Sequence, residues 1–313
     1  MVRRAGDVTE QEVQGYHDTM KFMEEKGIKI STITMDCKMR ASVQVEKLAR
    51  SVRLSEEGIA SITYGERGDI ATNRSIVKNK KRKSKRAFYN QATVLIRPDT
   101  PGRNYVNIKI FLNGSLQLTG CKDIKDFYSV THKLVEILKK GRLVRKHGKV
   151  KRRPYVDNVN LIGVYDIHIR MINSNFELPY QVDREILHKI LERKHGNYSI
   201  DNQFGYIEHK YDPIKGHSCV NIKHRCGEDR ISVFVFQTGS IIITGAKSFP
   251  QIVSAYNFIT KLLHRYYEWI VVHPIDPMDM LTEIKRFARH RARIQHRQEH
   301  DHQVYQQINV GCA

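Results

Sequence analysis

Phe111 and Phe236 each open a twelve-residue segment that occurs twice: FLNGSLQLTGCK from Phe111 to Lys122 and FQTGSIIITGAK from Phe236 to Lys247. Phenylalanine, Gly-Ser, Thr-Gly and lysine recur at the same offsets, so whatever these side chains do is done twice, about a pseudo-twofold axis. Apolar rings, hydroxyls and ammonium groups make a contact surface rather than a catalytic set. Elsewhere the acidic residues form no readable acid-base pair, and no phosphate loop, HExxH or nucleophile elbow occurs. His217, Cys219, His224 and Cys226 are of zinc-binding types, but HxC…HxC on strand positions lacks a chelating knuckle. The chain therefore reads as a binding protein and not an enzyme, with no metal, cofactor or small-molecule ligand.

The formal net charge of +20 is concentrated. Lys78 to Arg86 carries seven basic residues, among them Lys80, Lys81, Arg82 and Lys83; Lys139 to Arg153 carries nine and Lys285 to Arg297 six. Clustered Lys and Arg are what phosphate neutralisation with counterion release rewards, which points to nucleic acid as the polyanion. Five scattered cysteines, none spaced as CxxC, fit reduced thiols. With no secretory leader and no apolar run of spanning length, the expectation is a soluble intracellular protein that avoids membranes.

The elements that position the repeated segment follow from periodicity. Val13, Tyr16, Met20 and Met23 predict an amphipathic helix over 9–26, and Ile28 to Met35 alternates as a strand. Val45, Leu48, Ala49 and Val52 mark a short helix. Strands follow at 58–64 and 92–97, then a pair across 105–118 turning at Asn113-Gly114. Ile124, Phe127, Thr131, Leu134, Val135 and Leu138 predict a long helix. The second half repeats the order: strand 167–176, helix near Val182 to Ile190, strands at 206–210, 219–224 and 231–243, and a helix from Ile252 to Leu263. Ile28 to Phe111 spans 83 residues and Ile169 to Phe236 spans 67, a net insertion of 16 where the basic run lies.

Alternation places Lys109, Phe111, Asn113, Ser115, Gln117 and Thr119 on one face, with Ile110, Leu112, Leu116 and Leu118 opposite. In the second half Phe234, Phe236, Thr238, Ser240, Ile242 and Thr244 oppose Val233, Val235, Ile241 and Ile243. One face suits packing under helices; the mixed face suits a ligand.

On these residues the chain resembles the TATA-box-binding proteins, whose repeats carry F-x-x-G-K-x-x-x-T-G-A-K. Ser115 and Ser240 stand where the family usually has lysine. Ile30 to Met39 (ISTITMDCKM) is similar to the family's V-S-T-V-N-L-G-C-K-L. The resemblance implies an α+β saddle of two pseudo-symmetric repeats, each a curved antiparallel sheet with two helices on its convex side. The implied boundaries are an N-terminal helical extension (1–27), repeat 1 (28–140) with its basic loop (78–86), a basic linker (141–160), repeat 2 (161–264) and a His/Arg-rich C-terminal extension (265–313). Lengthened loops and terminal extensions resemble the versions encoded by large DNA viruses.

The resemblance also implies a role in transcription initiation: the concave sheet grips double-stranded DNA in the minor groove, while the helical side meets a B-type initiation factor and RNA polymerase. The place of action would be the nucleus or, for a virus-encoded chain, the cytoplasmic viral factory or virion. Phe111 and Phe236 match one wedging phenylalanine of each family pair, at a cost of a few kcal/mol of unstacking per step. Phe88 or Tyr89 matches the other in repeat 1, whereas its counterpart in repeat 2 falls near Gly216 or His217, where no phenylalanine stands. Thr119 and Thr244 match threonines facing base edges. Ile30 and Ile242 replace family valines, Gln117 replaces another, and Met171 belongs to the same surface. Lys122 and Lys247 join the basic loop as phosphate contacts. Ile28, and Ile169 in the second half, stand where the family has asparagines that donate to minor-groove acceptors. Their loss weakens discrimination of A·T from G·C, so the alternative is a saddle-shaped interaction scaffold that binds nucleic acid without sequence preference.

Overall fold

The computed structural model describes residues 10–66, 69–77, 90–146, 149–195, 198–201, 205–212 and 218–272. In chain order the elements are α1 (Glu10–Glu25), β1 (Lys29–Met39), α2 (Val45–Ser51), β2 (Ile59–Glu66), β3 (Asp69–Ser75), β4 (Gln91–Ile96), β5 (Val106–Phe111), β6 (Ser115–Cys121) and α3 (Ile124–Lys140). Then follow β7 (Arg142–Lys146), β8 (Lys149–Arg153), β9 (Val164–Glu177), α4 (Arg184–His195), β10 (Tyr198–Asp201), β11 (Gly205–Lys210), β12 (Cys219–Cys226), β13 (Asp229–Phe236), β14 (Ser240–Ala246), α5 (Phe249–Arg265) and α6 (Tyr267–Ile270).

Twelve strands form one antiparallel sheet in the order β10-β11-β12-β13-β14-β9-β1-β6-β5-β4-β2-β3. The first strands of the two halves, β1 and β9, pair at its centre. Their register is symmetric: Lys29↔Asn175 mirrors Asp36↔His168, Ile30↔Ser174 mirrors Met35↔Ile169, and Thr32↔Asn173 mirrors Thr34↔Met171. The pseudo-dyad thus passes through the Ile33↔Ile172 pair, and equivalent positions on these strands differ by 139. Phe111 and Phe236 differ by 125, so the first half carries 14 extra residues rather than the 16 expected from sequence.

One face of the sheet is dry. Val106, Ile108, Ile110, Leu116 and Leu118 of the first half, and Val233, Val235, Ile241 and Ile243 of the second, are fully or almost fully buried. They lie under α3 and α5, whose apolar stripes (Phe127, Val130, Leu134 and Leu138; Ile252, Ala255, Ile259 and Leu262) recur at helical spacing and are likewise buried. Asp123 and Asp126 start α3 with a capping box, which satisfies orphan amides at the helix entry. α1 packs on this helical side, with Tyr16 edge-on to Phe249 at 5.5 Å and Phe22 to Tyr256 at 5.9 Å. It touches both halves, since Ile28 N at the entry to β1 donates to Met23 O.

Three features were absent from the sequence reading. β3 and β10 are sixth strands at the two ends of the sheet, so each half has six rather than five. The linker 141–160 carries a separate two-stranded sheet, β7-β8. The chain packs as one unit through Ile270, where α6 lies against α4 and Asp183 N donates to Ile270 O; the terminal extension therefore begins later than residue 265. Among the described residues no helix is long and apolar enough to cross a membrane.

Candidate nucleic-acid interface

The twice-occurring segment builds the same corner in each half. After Phe111 the chain reverses through Asn113-Gly114: Gly114 N donates to Phe111 O, and Asn113 Oδ1 accepts from Ser115 N. Gly114 has φ 82° and a Cβ there would lie 2.3 Å from Ala41 O; Gly239 has φ 87° and the same 2.3 Å approach to Tyr180 O. Only glycine fits either site, because both the left-handed backbone and the neighbouring carbonyl exclude a side chain. Each Gly-Ser therefore turns β5 into β6, or β13 into β14, and fixes the residues that follow on the open face.

Directly paired residues share a face, so the register maps that surface. In the first half Thr34, Asp36 and Lys38 of β1 pair with Thr119, Gln117 and Ser115 of β6, then Asn107 and Lys109 of β5, with Phe111 beside Gln91 further out. In the second half Asn175 pairs with Ile242, then Phe234 and Asn221, with Phe236 beside Cys219 further out. All of these are at least partly open. The dyad sets Lys109 opposite Phe234, Gln117 opposite Ile242 and Asp36 opposite Asn175. Where the first half carries Asp36, Lys109 and Gln117, the second carries Asn175, Phe234 and Ile242, uncharged at all three positions.

Most of the expected residues take this face. Phe111, Gln117 and Thr119 do so in the first half; Phe236, Ile242 and Thr244 do so in the second; Met171 sits between them, paired with Thr34 and accepting from Thr244 Oγ1 at 3.6 Å. Three do not. Ile28 is only 6% exposed and belongs to the core, and Ile30 and Ile169 pair with the buried Ser174 and Met35 and pack toward the helices. The cause is a register shift between Ile30 and Thr32, mirrored on β9, which turns the start of each strand over relative to its continuation. The dyad also corrects the alignment: the mate of Ile28 is Ile167, and Ile169 corresponds to Ile30. Phe88, Tyr89, Lys80, Lys81, Arg82, Lys83, Gly216 and His217 lie outside the described residues. Lys122 is exposed, while Lys247 is held by Asp229 at 2.5 Å. Cys219 and Cys226 sit at opposite ends of β12, too far apart for one metal ion.

The site also contains charges that the sequence reading missed. Arg170 Nε meets Asp36 Oδ2 at 2.5 Å, and Asp166 takes Lys38 at 2.7 Å on one oxygen and His168 at 2.8 Å on the other. Hydrogen bonding from Lys38, then from His168, holds the Asp166 carboxyl below the usual range, and the same contact raises Lys38. These residues, with Phe111, Ser115 and Gln117, line a shallow depression on the open face. Alternation from Thr34 to Lys38 would have exposed Asp36 to sequence reasoning. Asp166 and Arg170 gave no such signal, since their approach depends on β9 pairing with β1.

A two-repeat saddle with a shared central strand pair, a dry helical side and symmetric phenylalanines on the open side defines the TATA-box-binding-protein-like class. No family model matches the sequence. The chain is 50% identical over 277 residues to a protein of Acanthamoeba polyphaga mimivirus named TATA-box-binding protein-like, an alignment covering 88% of this chain and 75% of that one. It is 25% identical over 161 residues to the TATA-box-binding protein of Pyrodictium occultum, covering 51% and 63%. Methanococcus jannaschii TBP, a solved structure, aligns at 18% identity with a TM-score of 0.46, covering 76% of this chain and 98% of that one. The chain belongs to the TATA-box-binding-protein-like family.

Proposed function

We propose that this protein is a transcription initiation factor that docks its open sheet face in the minor groove of promoter DNA and presents its helical side to a B-type initiation factor and RNA polymerase. The observation that carries the reading is the symmetric placement of Phe111 and Phe236, each at the turn end of its central hairpin, the same number of strands from the dyad. Two apolar rings so placed suit wedging between base steps at the two ends of one site. On this reading the protein acts in the nucleus or, if virus-encoded, in the cytoplasmic factory or virion. Footprinting with a fluorescence bending assay tests it: replacing both phenylalanines by alanine should abolish bending and weaken binding by at least tenfold. Unchanged bending would sink the proposal.

A second reading draws on the Asp36–Arg170 and Asp166–Lys38 pairs. Carboxylates on a surface that faces the acceptor-rich floor of the groove oppose sequence-specific contact. A saddle used as an interaction scaffold, with nonspecific anchoring to nucleic acid, accommodates them. Its mark would be affinity that depends steeply on salt but not on DNA sequence or on the two phenylalanines.

A further inference from the structure

β7 and β8 form a basic ribbon that belongs to neither repeat. Cross-strand pairs place Arg142 opposite Arg153 and Val144 opposite Lys151 on one face, with Lys149 of β8 in line with them. All five residues of β8 are exposed. Among the described residues none of Arg142, Arg145, Lys149, Lys151 and Arg153 has an acidic partner. Like charges directly opposite each other destabilise a ladder, and an isolated hairpin of this size is marginal in water.

The ribbon is nevertheless built into the fold at its root. Gly141 ends α3 with φ 63°, and a Cβ there would lie 2.0 Å from Arg153 O, so the two strands leave the helix at closest backbone approach. Arg152 Nη1 donates to Lys140 O at 3.2 Å. Beyond the ribbon, Tyr155 is 2% exposed, its amide donates to Leu138 O, and its hydroxyl lies 3.1 Å from Ser51 Oγ. These anchors sit on α3 and α2, in the helical layer and so on the side of the sheet opposite Phe111 and Phe236.

We infer that the β7-β8 ribbon is a second DNA-binding surface, which grips the phosphates of a duplex segment distinct from the one on the open sheet face. Charge complementarity selects the occupant. Phosphates relieve the Arg142–Arg153 repulsion and neutralise the exposed Lys149 and Lys151, and a duplex carries one charge per ~1.7 Å along its axis. Strands of five residues extend ~17 Å at ~3.4 Å each, enough to meet several phosphates, and the major groove, ~12 Å wide, admits a two-stranded ribbon.

The test uses the full chain and a labelled duplex of scrambled sequence, with affinity measured against salt concentration. The K149A/K151A/R153A variant should lower the log-log salt slope by about 2 to 3, close to one unit per lost phosphate contact. Lys149→Arg with Lys151→Arg should keep the wild-type slope, and the melting temperature should not fall in either variant, because the side chains are in solvent and the alanines only remove repulsion. An unchanged slope in the alanine variant overturns the inference. So does a ribbon-dependent affinity for a glutamate polymer that exceeds the affinity for DNA, which would mark an acidic protein as the partner. Repeating the titration with Phe111→Ala/Phe236→Ala separates this surface from the sheet face. The ribbon-dependent difference in slope should persist there whether or not the open face binds DNA.

Discussion

Asp36 is the residue on the open face whose chemistry least suits a polyanion. It is a carboxylate held by Arg170 and flanked by Gln117 and His168. A duplex seated on that half lies over the Asp36–Arg170 and Asp166–Lys38 pairs as well as over Phe111. Substituting Asp36→Asn removes one negative charge and releases Arg170 toward phosphate. DNA affinity at ~0.05 M salt should rise about three- to tenfold, and the gain should fade near 0.5 M, where the Debye length is only a few ångströms. Filter binding at the two salt concentrations reads it directly; an affinity that does not change would mean the first half of the face is not in contact.

At the scale of elements, the turns are as constrained as the strands they join. Gly114→Ala would force a left-handed backbone on a side chain whose Cβ meets Ala41 O at 2.3 Å, and should cost ~2–4 kcal/mol in urea unfolding. Gly102 also has a positive φ, 72°, but nothing lies within 4 Å of its added Cβ, so Gly102→Ala should cost only ~1–2 kcal/mol. A reversed ranking would mean that contact with the Ala41 carbonyl is not what fixes the hairpin. The same elements show what was legible. α3, α5 and the hairpins β5-β6 and β13-β14 carry strong apolar periodicity, and their residues point as alternation says. β7 and β8 carry almost no apolar pattern, because neither face packs on a core, so charge was visible there and a ribbon was not. The starts of β1 and β9 misled for another reason: a one-residue irregularity inverts every side chain beyond it, and no residue type announces the shift between Ile30 and Thr32.

Across the whole molecule the dyad is respected by the ten inner strands of the sheet and broken on its helical side. α1 covers Ile28, with Ile28 N bonded to Met23 O and Met23 1% exposed, whereas the mate of Ile28, Ile167, is 36% exposed. Met23→Ala should therefore destabilise the fold by ~2–4 kcal/mol yet leave DNA bending unaltered, since α1 and the open face lie on opposite sides of the sheet. Loss of bending at temperatures where the variant is still folded would contradict that separation. The ends of the sheet break the dyad in another way. In the second half the strands run outward from β9 in unbroken reverse order to β10, so the outermost strand precedes its neighbour in the chain; in the first half β3 is outermost but follows β2. A strand present before the halves were copied would enter both from the same side. These two enter from opposite sides, so the rims are not two copies of one strand: the duplicated unit is the five inner strands with their helices, and the two ends of the saddle are free to differ in what they bind.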